Sequence, residues 1–282
     1  MIGAVTILPR IARLPTGAIG MVLLGLTLAA ALGAPWLASH DPLHQQLSAN
    51  TILQRPSAEH LFGTDNLGRD IYSRVLFGMR LSMGLALTAV LIGIGLGVMI
   101  GATASMVGYW WDRVAMRTMD ALLAFPVLVL AIAVAVAFGR GPAGVIFAVA
   151  FVNVPIFARL ARAQGLRILG FPFMAATQVM GCSFLRRLFR HLLPNIMNAI
   201  LVQSSVSLSF AVLIEAGLSF LGLGIQAPRP ALGLMIAEAK AYISLAPLMV
   251  LFPALALVLM VVAFNLLGDA LAEVTDPRRS AQ

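Results

Sequence analysis

Few residues of this chain could carry enzymatic chemistry, and none stands in a catalytic spacing. The only lysine is Lys240, in the sequence EAKAY. A phosphate-binding loop of the form GxxxxGK[ST] requires a lysine after a glycine-rich turn, so the chain cannot hydrolyse ATP by that route. The metalloprotease pattern HExxH and the esterase pattern GxSxG are also absent. We therefore predict that the chain is not an enzyme and has no catalytic residue.

Three histidines lie in the stretch 40–60, and two of them have helical i, i+4 spacing. These two are His40 and His44, and the third is His60. A zinc-type site needs three or four ligands, and Pro42 argues against a helix joining the first two. The sequence therefore favours a solvated loop here, and we predict no metal site. The single cysteine, Cys182, excludes a disulfide within the chain and a cysteine metal cluster.

Two acids lie beside or inside apolar stretches. Asp120 is near the end of its stretch, where an interfacial position explains it. Glu215 lies inside a stretch that also carries Gln203 and Ser207. An acid within a membrane span is a candidate functional residue, so Gln203, Ser207 and Glu215 are candidates for lining a water-filled path. Hydrogen bonding between helices, at about 0.6 kcal/mol per contact, explains them equally well.

The most polar part of the second half is a basic stretch over residues 159–195, with six arginines and no acid. Its pattern predicts two short helices. The first runs from Pro172 to Met180 and ends at Gly181; the second runs from Ser183, as N-cap, to about Leu192. Such an amphipathic pair suits either an anionic lipid surface or a protein partner.

The elements that position these residues are membrane spans. Of the 282 residues 60% are hydrophobic and 11% are charged, against roughly 25% charged in soluble domains. We predict an all-α membrane protein with six transmembrane helices and no separate soluble domain. Residues 1–80 hold the first helix and a long connecting segment, 81–268 form the core with a loop at 165–195, and 269–282 form a tail. The predicted spans are about 17–39, 81–108, 118–139, 142–162, 196–222 and 246–268.

The distribution of basic residues predicts the orientation of these spans. Placing both termini and the basic loop in the cytoplasm puts 12 basic residues inside and 7 outside. The segment 41–80 then lies outside, where four acids balance its four arginines. Because the positive charge is explained by loops beside membrane spans, nucleic acid is not the expected partner.

Small residues recur every fourth position in the second predicted span. Such a ridge allows another helix to approach closely. The partner helix could belong to this chain or to another subunit. The ridge consists of Ala89, Gly93, Gly97, Gly101 and Ser105.

The basic loop resembles the coupling motif of ABC-importer permeases, which reads Glu-Ala-Ala, three residues, Gly, nine residues, Ile, one residue, Leu-Pro. Ala175 stands in place of Glu, Thr177 in place of Ala and His191 in place of Ile. The resemblance implies a docking site for an ATPase, relying here more on shape and apolar contact than on the missing ion pair. The implied coupling residues are Ala175, Ala176, Thr177, Gly181, Leu185, Leu188, Phe189, His191, Leu193 and Pro194.

Four further segments, in order, resemble the C-type permeases of dipeptide, oligopeptide and nickel importers. One departure is Leu232, where a tryptophan is usual before Gly233. The segments are FGTDNLGRDIYSRVLFGMRLSM (62–83), WWDRVAMRTMDALLAFP (110–126), GLSFLGLGIQAPRPALGLMIAEAKAYI (217–243) and AFNLLGDALAEVTDP (263–277).

This resemblance implies the rest of a machine in the bacterial inner membrane. The partners would be a second homologous permease in a heterodimer, two cytoplasmic ATPase subunits that bind ATP and magnesium, and an extracytoplasmic solute-binding protein. The chain itself would hold no cofactor. The implied cargo is short peptides, and nickel or peptide-like solutes are the next alternatives. The alternative is a secondary transporter driven by an ion gradient, for which Glu215 is the only supporting residue.

Overall fold

The computed structural model describes residues 4–48 and 50–275, and these residues contain helices and no β-strand. A π-helical turn (Arg187–Leu192) joins α8 to α9, and a 3₁₀ turn (Lys240–Tyr242) follows α10. The predicted all-α membrane class is confirmed, because five helical segments are long and apolar enough to cross a membrane, and a bent pair makes a sixth when it is counted as one span. The α-helices are α1 (Ala4–Arg13), α2 (Pro15–Leu37), α3 (Ile71–Val107), α4 (Tyr109–Leu123), α5 (Val127–Phe138), α6 (Pro142–Leu169), α7 (Pro172–Val179), α8 (Phe184–Arg186), α9 (Leu193–Phe220), α10 (Leu232–Ala239) and α11 (Leu248–Thr275).

The helix of the second span begins ten residues before the uncharged run that predicted it. Asp70 caps α3, because its carboxylate accepts a hydrogen bond of 2.8 Å from the backbone N–H of Ser73. Arg74 then lies in the first turn and is buried. The uncharged run starts only at Leu81 because Arg74 and Arg80 lie in the first part of the helix. Arg74 is paired there with the buried carboxylate of Asp65, and Arg80 is exposed.

The third span is not the single helix predicted over 118–139. The structure divides it into α4 and α5, which meet at an angle of 99°. Pro126 at the break has no N–H for a helical hydrogen bond and disfavours helical geometry at Phe125. The 12 residues of α5 rise only about 18 Å, so α5 alone cannot cross a hydrocarbon core of about 30 Å.

The glycine ridge of α3 packs against α6 within this chain. A Cβ atom on Gly97 would lie 2.5 Å from the carbonyl oxygen of Val154, and one on Gly101 would overlap that of Ala158. At the far end of the ridge, a Cβ on Gly165 would overlap Ser105. The contacts advance in the same direction along both helices, so α3 and α6 run parallel and their backbones meet directly.

The other spans alternate in direction around this pair. Ser82 near the start of α3 meets Glu215 near the end of α9, and Ser209 of α9 donates to the backbone of Val261 in α11. Gly20 of α2 packs against Leu266 of α11. The ends of α2 and α11 nearest the termini therefore lie at the same end of the bundle as loop 165–195, and residues 41–70 lie at the other. The assignment of these ends to particular membrane faces stays a prediction.

Residues 41–70 are held on the bundle by buried charges. The carboxylate of Asp65 accepts a hydrogen bond of 2.6 Å from Nε of Arg69, and Glu238 of α10 accepts one of 2.8 Å from Nη2 of Arg69. Nε of Arg74 lies 3.5 Å from the same Asp65 oxygen. Removing one member would leave an uncompensated buried charge, which typically costs 3–5 kcal/mol. The network therefore joins this segment to α3 and α10.

Candidate functional site

Helix α7 ends in a glycine cap, as its sequence predicts. Gly181 has a φ of +71°, which glycine adopts without strain. The N–H of Cys182 donates to the carbonyl of Thr177 and that of Gly181 to the carbonyl of Gln178, both at 3.0 Å. This is the hydrogen-bond pattern of a Schellman motif. It sets a defined angle between α7 and the helix that follows.

The second predicted helix of the loop has no break before the next span. Ser183 has extended backbone geometry but makes no side-chain capping bond, contrary to the predicted role. The N–H of Leu193 donates to the carbonyl of Leu188, so the chain makes a wide π-helical turn immediately before Pro194. The segment from Phe184 to Phe220 is thus one helical rod of 37 residues, about 55 Å long.

The side chains of the loop divide into buried anchors and an exposed apolar surface. Leu188 is 1% exposed and lies in the main core, so it cannot join Leu185 and Phe189 in the predicted contact face. Thr177 is also buried, and its hydroxyl donates to the carbonyl of Met174. Thr177 and Leu188 belong to two different short helical segments, and each lies on the face of its segment that is packed against the rest of the protein. Ala175, Ala176, Gly181 and Pro194 are exposed, and His191 and Leu193 are partly buried.

Sequence reasoning missed the most exposed apolar residues of the loop. Val179 is 89% exposed and Met180 is 77% exposed, and both precede the glycine cap. Phe171, Phe173 and Phe184 are exposed around them. The sequence contains a pattern that could have predicted them. Five large apolar residues surround a turn that hydropathy places outside the membrane spans. We call Phe171, Phe173, Val179, Met180, Phe184, Leu185 and Phe189 the apolar loop surface.

Two of the six arginines in this stretch form ion pairs with acids of α4. Arg162 of α6 makes a bidentate ion pair with Asp112 of α4, with Nη2 2.6 Å from the carboxylate. Arg159 lies 3.7 Å from Asp120. Asp120 is therefore an exposed ion-pair partner. The remaining positive charge beside the apolar loop surface comes from Arg167, Arg186, Arg187 and Arg190.

Glu215 lies in a closed polar cluster and does not face an open path in this structure. Its side chain is fully buried, and its carboxylate accepts hydrogen bonds from Ser82 at 2.6 Å and Ser219 at 2.9 Å. Ser219 also accepts from the backbone N–H of Ile225. The cluster therefore joins α3, α9 and the turn after α9. The interhelical alternative left open by the sequence describes this geometry.

Gln203 and Ser207 lie apart from that cluster on the same helix. Nε2 of Gln203 is 3.5 Å from Oγ of Ser207, whose side chain is buried. Glu215 is two turns farther along α9, so the three predicted path residues form two separate sites on one helix.

An open groove that sequence reasoning missed lies beside the first half of α3. Its volume is about 520 Å³, and its lining includes Phe77, Arg80, Leu85, Thr88 and Arg229. Both arginines are exposed. The two arginines are 149 positions apart in the sequence, so only the fold shows that they line the same groove.

The histidine that lies beside His40 in the structure is His60 and not His44. The ring of His40 lies against that of His60, with centroids 4.6 Å apart, whereas His44 is exposed. Nδ1 of His60 is 3.0 Å from the carboxylate of Asp70.

The fold defines a bundle of membrane-spanning helices, and solved structures of a known transporter share it. The solved structures of inward-facing conformations of the MetNI methionine ABC transporter match with TM-scores of 0.57 and 0.58 at 17% and 16% sequence identity. The first match covers 72% of this chain and 97% of the other. At this identity the likeness establishes the fold alone.

The chain belongs to the family described as “Binding-protein-dependent transport system inner membrane component”, whose profile matches residues 93–281. It is 41% identical over 253 residues to the glutathione transport system permease protein GsiD of Escherichia coli O1:K1 / APEC, covering 90% of this chain and 83% of that protein. It is 38% identical over 260 residues to the dipeptide transport system permease protein DppC of Alkalihalophilus pseudofirmus, covering 92% and 85%.

These findings confirm that the chain is an inner-membrane permease subunit of a binding-protein-dependent ABC importer. The relatives are transport permeases rather than catalytic subunits. Family membership favours the importer over the ion-driven secondary transporter that the sequence left open.

Proposed function

We propose that this chain forms half of a translocation path for short peptides and couples it to a cytoplasmic ATPase through loop 165–195. The observation that carries the coupling role is the continuity of the loop with the polar span. The exposed residues after Gly181 and the span that holds Glu215 belong to one helical rod. A helix that continues without a break transmits a displacement of one end to the other, whereas a flexible connection would absorb it.

The loop has the surface expected of a protein-docking element. The apolar loop surface is exposed, and arginines lie beside it. Aromatic side chains, methionine and arginine are enriched in protein interfaces relative to the rest of the surface. A partner with an apolar groove and an acidic rim would cover both. The partners in this proposal are two ATPase subunits, which bind ATP and magnesium, a second permease in a heterodimer and a solute-binding protein.

The proposed cargo is a short peptide of the dipeptide or glutathione type. Two relatives at about 40% identity carry these substrates in their names. The groove beside α3 adds support, because exposed Arg80 and Arg229 there can pair with a peptide carboxylate. We further propose that Gln203 and Ser207 contribute to the path and that the Glu215 cluster serves as a latch between α3 and α9.

Docking is tested by polar substitution of the apolar loop surface. Leu185→Ser and Val179→Ser should each reduce co-purification of the ATPase subunits expressed with this chain, because each removes apolar area from the interface. Leu245→Ser is the matched control, since Leu245 is 78% exposed but lies in the turn before α11, at the opposite end of the bundle. Equal retention of ATPase by all three variants would refute docking at this loop.

The cargo is tested by uptake in cells that express the complete transporter. Labelled dipeptide and glutathione should accumulate, and Arg80→Gln with Arg229→Gln should raise the half-saturating peptide concentration by about tenfold. Thr88→Ala in the same groove is the control, since its hydroxyl already bonds to the carbonyl of Gly84. Accumulation of nickel with no uptake of either peptide would contradict the proposed cargo.

A further inference from the structure

A cluster of three potential metal ligands lies at the end of the bundle opposite the loop. One ring nitrogen of His40, one of His60 and a carboxylate oxygen of Glu59 all lie within 4.8 Å of one another. The histidines come from different parts of the chain, His40 just after α2 and His60 twenty positions later. Ligands bound to one zinc ion at about 2.1 Å are separated by somewhat less than this, so small side-chain rotations would close the site.

The environment of His60 prepares it to bind a metal. Its Nδ1 is 3.0 Å from the carboxylate of Asp70, which can only accept, so in the neutral ring Nδ1 is the donor and Nε2 carries the lone pair. Among the described residues, no hydrogen bond to Nε2 of His60 is present. A carboxylate behind a histidine is the usual arrangement around protein-bound zinc, where it orients the ring and raises its basicity.

The other two ligands are accessible from solvent. Glu59 is exposed, and among the described residues its carboxylate has no partner. His40 is partly exposed, and its backbone N–H donates to Oγ of Ser73 at 3.1 Å, which holds the residue against the first turn of α3. A hydrated cation can therefore reach the site from the side of His40 and Glu59. Buried His60 forms its floor.

We propose that His40, Glu59 and His60 bind a divalent transition-metal ion of the zinc type. Two imidazoles and one carboxylate suit a borderline metal such as Zn²⁺, whereas Mg²⁺ and Ca²⁺ prefer all-oxygen sites. Three protein ligands leave the fourth position of a tetrahedral ion to water. The sequence argued against a metal because it considered His40 with His44. The fold provides a different pair and adds Glu59.

A metal at this site would brace the segment that connects the first two spans. It would link the residue after α2 to the loop that leads into α3. Asp70, which holds His60, is also the N-cap of α3. The ion would thus join α2, the connecting segment and α3 at one point, and it would stabilise the folded state by binding only to it.

The test uses the full-length chain in detergent micelles, purified through a streptavidin-binding tag because a polyhistidine tag would itself bind metal. After chelator treatment, Zn²⁺ is titrated by calorimetry, and Co²⁺ is titrated by its visible absorption, which reports tetrahedral coordination. The wild type should bind one equivalent, with a rise in Tm of about 5 °C at saturating Zn²⁺. The variants are His40→Ala and Glu59→Gln, both at accessible positions that leave buried His60 and Asp70 intact.

The matched control is His44→Ala, which removes an exposed histidine from the same segment but not from the cluster. His40→Ala and Glu59→Gln should each weaken Zn²⁺ and Co²⁺ binding by at least about tenfold. His44→Ala should bind like the wild type. The proposal is overturned if the wild type takes up no stoichiometric metal, if His44→Ala weakens binding as much as His40→Ala, or if Glu59→Gln binds as tightly as the wild type.

Discussion

At the scale of single residues, Glu215 shows how a buried acid can be required for structure. Its carboxylate accepts hydrogen bonds from Ser82 and Ser219, and it is fully enclosed by α3, α9 and the turn after α9. Both hydroxyls would lose their acceptor if the side chain were truncated, and few alternatives exist in a bundle of apolar residues. A buried polar group without a partner costs about 1–3 kcal/mol.

We therefore expect Glu215→Ala to lower thermal stability in detergent by several degrees. Glu215→Gln, which keeps the shape and one carbonyl oxygen, should lower stability much less while reducing transport if the cluster acts as a latch. Stability is measured by the fraction that remains monodisperse after heating, and transport by peptide uptake. Gln203→Ala is the control on the same helix, because the Gln203 side chain is only half-buried and its hydrogen bond is 3.5 Å long. Equal loss in Glu215→Ala and Gln203→Ala would contradict a structural role for the cluster.

At the scale of elements, the contact of α3 with α6 depends on glycines that have no room for a methyl group. A Cβ on Gly101 would overlap the carbonyl oxygen of Ala158, whereas one on Gly95 of the same helix would meet nothing within 4 Å. Because the backbones of α3 and α6 touch at several glycines in succession, a side chain added at one of them pushes the two helices apart along the whole contact. The glycine spacing therefore sets the position of α6, and with it the end of α6 from which the loop begins.

The expected result is that Gly101→Ala destabilises the bundle by about 1–3 kcal/mol, because the helices must separate to admit the methyl group. Gly95→Ala should be neutral or stabilising by up to about 1 kcal/mol, since alanine favours helix over glycine. Thermal unfolding of both variants in the same detergent measures the difference. A similar response of the two variants would show that the close approach of α3 and α6 is not needed.

The angle between α7 and α8 depends on one backbone conformation. Gly181 has a φ of +71° and open space around its missing Cβ, so a substitution there acts through backbone strain and not through a clash. Asparagine tolerates positive φ, but a β-branched side chain does not. Comparing Gly181→Asn with Gly181→Val therefore distinguishes the effect of a changed backbone angle from the effect of adding any side chain.

Gly181→Val should cost about 1–2 kcal/mol of local strain and uncouple ATP hydrolysis from transport, because the two helices of the loop would no longer meet at their normal angle. Gly181→Asn should retain most of the activity. Binding-protein-stimulated ATP hydrolysis by the assembled transporter is the readout, with ATPase content checked on the same preparation. Normal coupling in Gly181→Val would refute the view that the loop acts as a rigid unit.

At the scale of the whole molecule, the direction of the spans places two surfaces at opposite ends of one bundle. Loop 165–195 lies with the ends of α2 and α11 nearest the chain termini. The segment 41–70 lies at the far end, held by the buried charges that reach Glu238. Coupling and substrate entry in the proposed function thus use separate ends, connected by the rod that runs from Phe184 to Phe220.

Single cysteines at Ser57 and Ser183, in a Cys182→Ser background, should react with an impermeant maleimide from opposite sides of the membrane. Both serines are exposed, and they lie at opposite ends of the bundle. The basic loop predicts that Ser183 faces the cytoplasm. Right-side-out and inverted membrane vesicles provide the two accessible faces, and detergent solubilisation provides full labelling as the control. Labelling of both positions from one side would exclude this topology.

Local patterns in the sequence were sufficient for the class of fold and for much of the loop. Spans follow from uncharged apolar runs, because a charge in hydrocarbon is costly unless it is paired. The glycine cap at Gly181 follows from the end of a short helical pattern, because a glycine there is free to adopt positive φ. The resemblance of the loop to a coupling motif is likewise a matter of spacing along the chain. Each of these features depends on residues within one continuous stretch of the sequence.

The tertiary structure decided whatever depends on residues distant in the chain. It paired His40 with His60 instead of His44, and it gave Arg162 an acid fifty positions away. It also buried Leu188 in the core, removing it from the predicted contact face. Helical periodicity places a residue on a face but does not say which face a neighbouring helix will cover. That choice depends on how the parallel pair α3 and α6 closes around its glycines, because all other elements must pack on the surface that this pair leaves free.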